Sequence, residues 1–307
     1  MDPATLCKAF FAVGTAVDLG GILLPSFREN IMNYGSRGSK DSDSKPSDFQ
    51  KPSNTNQSTL TKIIEKVASC QVPHPWFTHY YLVSVASSAF WGYQIFTGGA
   101  IVKVLAASAG GPRGTGMTAN QVVLAWALMG AQGGRRLYES VTLTKASKSK
   151  MWVGLWLIGI AYYIFMGISA WVEGNAVLSD PRPITSLLEF SKPSLKTAIG
   201  VPLFISASAL QNDCHKHLAS LKKYSLPQRG PFKQIVCPHY LAECLIYVSL
   251  AIISAPPGQA LNKTVLAGLG FVVTNLGVTA DSTKKWYVEK FGAENIKGRW
   301  RMIPYLY

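Results

Sequence analysis

The sequence predicts an all-α integral membrane protein: a bundle of about seven transmembrane helices, N-terminus luminal and C-terminus cytosolic. Three observations predict it. Only 15% of the 307 residues are charged and 48% are hydrophobic, where an average soluble domain carries about 25% charged residues. The apolar residues gather in separate stretches, most of them near the roughly 20 residues that a ~30 Å hydrocarbon core demands. Lysine and arginine fall mostly into alternate connections between those stretches, the asymmetry that distinguishes cytosolic loops from luminal ones.

The first stretch, Ala4 to Ser26, holds Lys8 and Asp18 and lacks a small-residue cleavage site, so it reads as a retained anchor rather than a removed signal. From Gly35 to Thr61 polar residues and proline replace nearly every apolar one and periodicity vanishes, which predicts a long flexible cytosolic loop. Six further spans follow: His79 to Ile101, Thr118 to Gln132, Met151 to Trp171, Leu195 to Leu210, Tyr240 to Ala255 and Thr264 to Ala280. Pro256-Pro257-Gly258 makes a tight turn between the last two. Of the 30 basic residues, 23 fall on one set of connections and six on the other, with Lys8 inside the first span. An odd number of spans preserves that asymmetry, and adding or removing one would mix the sets. The net charge of +14 therefore reflects topology, and with no aromatic-interleaved motif beside it nucleic acid is not a partner. Membrane lipids are.

Five scattered cysteines without a C-x-x-C pair signal neither a disulfide framework nor a metal site. Gly268-Leu269-Gly270 lacks a third glycine and lies in an apolar span, so it reads as helix packing rather than dinucleotide binding. Asn56 and Asn262 fit the glycosylation pattern, but only Asn262 is predicted luminal.

Polar residues that a bilayer tolerates poorly mark function, and here they gather at the cytosolic ends of spans. His79 and Tyr80 open the second. Arg135, Arg136 and Glu139 close the third, where a local i, i+3 ion pair between Arg136 and Glu139 is the plain reading. Gln211 and His215 share one helical face at the end of the fifth, with Lys222 two turns on if the helix continues. His239 and Glu243 repeat that spacing at the start of the sixth, Tyr287 follows the seventh, and Arg299 lies in the basic tail. Glu243, a carboxylate one turn into an apolar run, requires a partner. Together these residues predict a polar pocket that opens to the cytosol above an apolar bundle.

The run Cys237-Pro238-His239-Tyr240-Leu241-Ala242-Glu243-Cys244 and the ending from Trp286-Tyr287 through Lys297-Gly298-Arg299 to Ile303-Pro304-Tyr305 resemble the C-terminal domain of the steroid 5α-reductase family. Val72-Pro73 through His79-Tyr80-Tyr81, Arg135-Arg136-Leu137-Tyr138-Glu139, and Gln211 through His215 to Lys222 resemble its polyprenal reductase branch. The resemblance implies an endoplasmic reticulum enzyme, multi-pass with its site facing the cytosol. It would use NADPH to saturate the α-isoprene double bond of a long-chain polyprenal, giving dolichal on the route to dolichol and protein glycosylation. It assigns residues 1–34 to an anchor and the start of the loop, 35–72 to the loop, 73–190 to the substrate side and 191–307 to the cofactor domain. It implies that Gln211, His215, Lys222, His239, Tyr287 and Arg299 line the NADPH site, that Glu243 lies near the nicotinamide, and that His79 and Tyr80 face the substrate carbonyl. His79 is the first candidate for proton donor, since an imidazole can donate near neutral pH.

The chain also departs from the family. Steroid enzymes carry a glutamate at the position matching Tyr80 and a tyrosine at that matching Gly133, so their ketone-polarising pair is absent and a steroid substrate is disfavoured. Position 284 is Lys where relatives of the branch carry His, and His239 stands where Asn is usual. The alternatives are a membrane methyltransferase of the isoprenylcysteine type and a 3-oxo-5α-steroid 4-dehydrogenase; a seven-span transporter would need polar groups through the bilayer depth or an internal repeat. The sequence leaves oligomeric state open. Deletion within residues 35–61 is expected to leave catalysis intact, and loss of activity in folded enzyme carrying that deletion would refute the loop assignment.

Overall fold

The computed structural model describes residues 2–23, 70–109, 116–145, 149–190, 192–222 and 224–307; the polar stretch from Gly35 to Thr61 and Asn56 lie outside them. Helix accounts for 74% of the structure. Each predicted apolar stretch has become one long helix: α1 (Pro3–Leu23), α2 (Thr78–Thr97), α3 (Ala119–Leu143), α4 (Val153–Ser169), α5 (Leu195–Ser220), α6 (Pro238–Ile253) and α7 (Lys263–Phe291). Among the described residues, two helical stretches, Val153–Leu178 and Lys263–Phe291, are long and apolar enough to cross a membrane.

The helix ends are set by local chemistry. Thr118 and Gln121 form a reciprocal capping box on α3, Ser194 caps α5, and Pro238 occupies the first turn of α6, where its missing N–H costs nothing. Asn262 is fully buried and its side-chain oxygen accepts from the backbone N–H groups of Thr264 and Val265, both at 2.9 Å. The glycosylation-like triplet at Asn262 is thus a helix cap. α2 stops four residues short of the expected end because Gly98 turns left-handed at φ +61°. α3 and α5 instead run about three turns past the expected ends at Gln132 and Leu210, since polar side chains on those turns bind one another.

All-α needs one correction. Gln71–Pro73 pairs antiparallel with Lys150–Trp152 in a two-stranded ribbon, Val72 opposite Met151. It joins the entries of α2 and α4 and tucks both residues inward, a tertiary pairing that two three-residue segments do not announce. The C-terminal tail is held similarly. Trp300 N donates to Gln234 O at 2.7 Å, and Val236 N and Cys237 N donate to Trp300 O and Arg301 O, tying the tail to the connection before α6.

α5 packs along α6, α1 along α7, and α2 against both α3 and α4. Trp171, Tyr247, Phe11, Met166 and Ile253 are among the largest fully buried side chains. Gly268 sits where α7 meets α4 and α1: a Cβ there would overlap Met166 Cε and approach Phe11 Cε2 to 3.2 Å, whereas Gly270 faces open space. Close packing is therefore the role of Gly268. Gly268→Leu is expected to destabilise the protein by about 1–3 kcal/mol or more, read as a lower Tm in detergent, while Gly270→Leu leaves Tm near wild type; equal shifts would refute this packing.

Candidate active site

At the end of the bundle where α3, α5 and α6 meet, their polar residues share facing sides. Gln132, Arg135, Arg136 and Glu139 follow one face of α3 at helical spacing; Gln211, Asn212 and His215 do so on α5; His239 and Glu243 on α6. Glu139 is the hub. It is 2% exposed, and its Oε1 accepts from Arg135 Nη1 and from Asn212 Nδ2, the latter at 2.6 Å. Its Oε2 accepts from Arg136 Nη1 and faces His215 Nδ1 at 2.8 Å. All four lone-pair directions of the carboxylate are thereby occupied.

Electrostatics follow from that geometry. Burial pushes the Glu139 carboxyl up, but the His215 hydrogen bond, the Arg136 charge and the Asn212 amide hold it well below the usual carboxylate range. Burial depresses the His215 imidazole, partly offset by its bond to Glu139 and reinforced by Arg136, so the ring is neutral near pH 7. Burial also opposes the Arg136 charge, yet Tyr81, Glu243, Tyr163 and Glu139 around it leave its proton held more tightly than usual.

A second layer hangs on the first. Arg135 Nη2 donates to Gln132 Oε1 at 2.7 Å and also to Gln211 Oε1. Both amides in turn donate to Glu243 Oε2, Gln132 Nε2 at 3.3 Å and Gln211 Nε2 more closely. Glu243 thus receives neutral amides, and among the described residues no cation forms an ion pair with it.

Two adjoining cavities flank this network. One, of about 360 Å³, has a polar wall of Gln211, His215, His239 and Glu243 and an apolar wall from α2, α4 and α7, including Tyr80, Leu155, Ile158, Tyr162 and Phe271. Asn275, Thr279 and Ser282 add a polar stripe along α7; Ser282 is 8% exposed and its hydroxyl has no partner among the described residues. The other, of about 390 Å³, lies between the start of α2 and the ends of α3 and α5, lined by Thr78, Glu139, Ser140, Lys145 and Leu218. Phe77, Tyr81, Arg136 and His215 line both.

Of the residues expected from the sequence, Tyr80, Gln211, His215, His239 and Glu243 share the first cavity. His79 lines neither: its ring packs against Trp76, 5.2 Å away, and Trp156, 5.9 Å away. Tyr80 donates its hydroxyl to Leu155 O at 3.3 Å, lying over Gly159, where a Cβ would stand 2.5 Å from the ring. Lys222 is exposed beyond the end of α5 at Ser220, so the helix does not continue to carry it. Tyr287 is buried beside Trp286 and Phe291. Arg299 donates from Nη1 to Pro227 O and Phe232 O, both at 2.9 Å, and also lies off both cavities.

The local Arg136–Glu139 pair is present, but it reaches across to α5 and α2, which the sequence reading missed along with Tyr81, Gln132 and Asn212. Gln132, Arg135, Arg136 and Glu139 at spacings of three and four carried the signal. Glu139→Gln is expected to cost about 3–5 kcal/mol by leaving two buried guanidinium groups uncompensated. Because the folded carboxyl is depressed, this stabilisation is complete above the ordinary Glu value of about 4.3 and fades as pH falls below it. Melting in detergent at pH 7 and pH 4 measures both, and a variant that melts with wild type at pH 7 would refute the hub.

Comparison with known proteins gives the context of this arrangement. The family described as 3-oxo-5-alpha-steroid 4-dehydrogenase matches residues 149–307. Polyprenal reductase 2 of Oryza sativa subsp. japonica is 27% identical over 98% of this chain and 96% of its own. Polyprenal reductases of Caenorhabditis elegans and Saccharomyces cerevisiae are 26% and 27% identical, over 82% and 81% of this chain and 84% and 80% of theirs.

Proposed function

Because the chain belongs to the 3-oxo-5-alpha-steroid 4-dehydrogenase family, oxidoreductases acting on a CH–CH group, we propose that it reduces the α-isoprene double bond of polyprenal to dolichal with NADPH. The step belongs to dolichol biosynthesis in the endoplasmic reticulum, in support of protein N-glycosylation. One observation carries the reading: an amide, imidazole and carboxylate wall faces an apolar wall across a single cavity. A polar reactive head on a long apolar chain has that same division.

The enal is the chemically suitable form. An α,β-unsaturated aldehyde offers a carbonyl as electron sink when hydride reaches its β-carbon; the allylic alcohol offers none. A steroid ketone fits less well, since the place of the family's polarising tyrosine is filled: a Cβ at Gly133 would stand 2.5 Å from Ser84 Oγ. Methyl transfer lacks the support that the family match gives to reduction.

The residues fit NADPH. Glu243, whose Oε2 accepts from the Gln132 and Gln211 amides, can accept the carboxamide N–H groups, with Gln211, His215 and His239 beside it and, opposite, the Ser282 hydroxyl, unpartnered among the described residues. Arg299 keeps Nη2 and Nε for a phosphate once Nη1 has fixed its loop; Lys222 and Tyr287 stand on the same cytosolic side. When bound, NADPH supplies the hydride. His79 and Tyr80 shape the entry to the substrate side, residues 73–190, and residues 191–307 form the cofactor side.

In this reading seven helices span the membrane with the N-terminus luminal and the C-terminus cytosolic, so that the site faces the cytosol. Exposed apolar side chains on α1, α2, α4, α5 and α7, such as Val13, Leu82, Leu157, Ile205 and Leu266, support a lipid-facing exterior. The apolar stretch Val153–Leu178, which begins with α4, is 17% buried, against 50% for that of α7, which suits lateral entry of an isoprenoid beside it. Purified protein is expected to oxidise NADPH with polyprenal, yielding dolichal by mass spectrometry, and not with polyprenol or a 3-oxo-Δ4-steroid. Glu243→Gln should lower turnover about 10²-fold or more and weaken NADPH binding; steroid turnover without polyprenal turnover would overturn the assignment.

A further inference from the structure

Reduction of an enal requires an acid at the carbonyl oxygen, and this inference, which rests on the reading above, concerns which residue supplies it. The acid must touch the substrate head, and we take the boundary between the first cavity and its neighbour as the place where that head meets the cofactor. Phe77, Tyr81, Arg136 and His215 are the residues common to both cavities, so they form the partition between the two.

Two of the four do not qualify. Phe77 has no proton to give. Arg136 remains a guanidinium at all accessible pH values and can orient but not protonate. His215 Nδ1 is shared at 2.8 Å between the Glu139 carboxylate and Arg136 Nη1, so this ring belongs to the charge cluster, and its Nε2 is the competitor that the test below includes. The neighbours of Tyr81 are engaged as well. Tyr80 gives its hydroxyl proton to Leu155 O, and His79 packs against two tryptophans off both cavities.

Tyr81 is different. Its oxygen accepts from Arg136 Nη2 at 2.5 Å, and the same guanidinium lies 4.7 Å from the ring centroid. Accepting from arginine turns the phenol's own proton elsewhere, and among the described residues no acceptor meets it. The side chain is 9% exposed, held by the Tyr163 ring at 5.6 Å. Arg136 is itself fixed by Glu139, so the hydroxyl is aimed by a chain of buried charge.

We propose that Tyr81 polarises the carbonyl oxygen of the enal and protonates it, with Arg136 as the positioning residue that aims its hydroxyl into the cavity. Hydride forms the new C–H bond at the β-carbon, the alkene electron pair moves into the bond between the α-carbon and the carbonyl carbon, and the carbonyl pair moves onto oxygen. That oxygen takes the Tyr81 proton as the phenolic O–H bond breaks. The resulting enol takes a proton at its α-carbon from water and returns the O–H proton to the tyrosinate. One hydride and one solvent proton are consumed.

The test reads polarisation directly as well as rate. The carbonyl stretch of a short-chain enal bound with NADP⁺, which cannot reduce it, is measured by difference infrared spectroscopy. It is expected to lie at lower frequency in wild type than in Tyr81→Phe. Turnover of polyprenal by Tyr81→Phe should fall about 10²- to 10⁴-fold with NADPH affinity unchanged, which also shows that the variant is folded. Arg136→Lys should recover only part of the frequency shift. Retention of shift and rate in Tyr81→Phe, or their loss in Tyr80→Phe or His215→Gln instead, would overturn the assignment of Tyr81. Absence of polyprenal turnover by wild type would overturn the functional reading and the inference with it.

Discussion

The rest of this site depends on one buried carboxylate being able to hold two guanidinium groups at once. Taking charges out of water is costly, and burying Arg135 and Arg136 against the helix bundle is tolerable only because Glu139 returns four charge-assisted contacts from a single point. Both arginines are thereby pinned, and each delivers its remaining hydrogen bonds to a defined place. Arg135 orients Gln132 and Gln211; Arg136 orients Tyr81. The ion cluster acts as a template whose outer ends are the groups facing the cavities.

This arrangement also explains why the site can be preorganised in a membrane protein. α2, α3, α5 and α6 each contribute to the network, so a shift of any one would strand a buried polar group, a loss of about 1–3 kcal/mol for each neutral group and more for each charged one. Apolar contacts alone would permit sliding, since side chains of similar shape exchange places at low cost. Hydrogen bonds from Gln132 and Gln211 to one oxygen of Glu243 do not. The polar layer therefore fixes the register in which the apolar helices pack beneath it.

Much of this was legible in the sequence. Seven apolar stretches correspond to seven long helices, and the residues quoted as resembling a known family lie in a chain that belongs to it. Five of the nine site residues share one cavity. What escaped was set by rotation and by reach. Tyr80 and Tyr81 are adjacent and chemically alike, and only the angle of α2 against α3 makes one cover Gly159 while the other meets Arg136. Arg136 and Glu139 read as a local pair because spacing along one helix says nothing of α5 across from it. Lys222 was placed on a helix that ends at Ser220, and the ribbon between Gln71–Pro73 and Lys150–Trp152 depends on two segments meeting in space.

Tyr80 and Gly133 mark the departures from the steroid pattern, and their geometry gives those departures a reason. Ser84 packs closely beside Gly133, so that a larger residue there would displace its hydroxyl, and Tyr80 has given its hydroxyl to the backbone of α4. Neither position can polarise a carbonyl. An enzyme that still must do so needs a donor from a neighbouring position, one whose proton is not already bound within the protein. The position after Tyr80 is the candidate, because α2 turns it about 100° toward α3, where a guanidinium already held by Glu139 donates to the phenol oxygen.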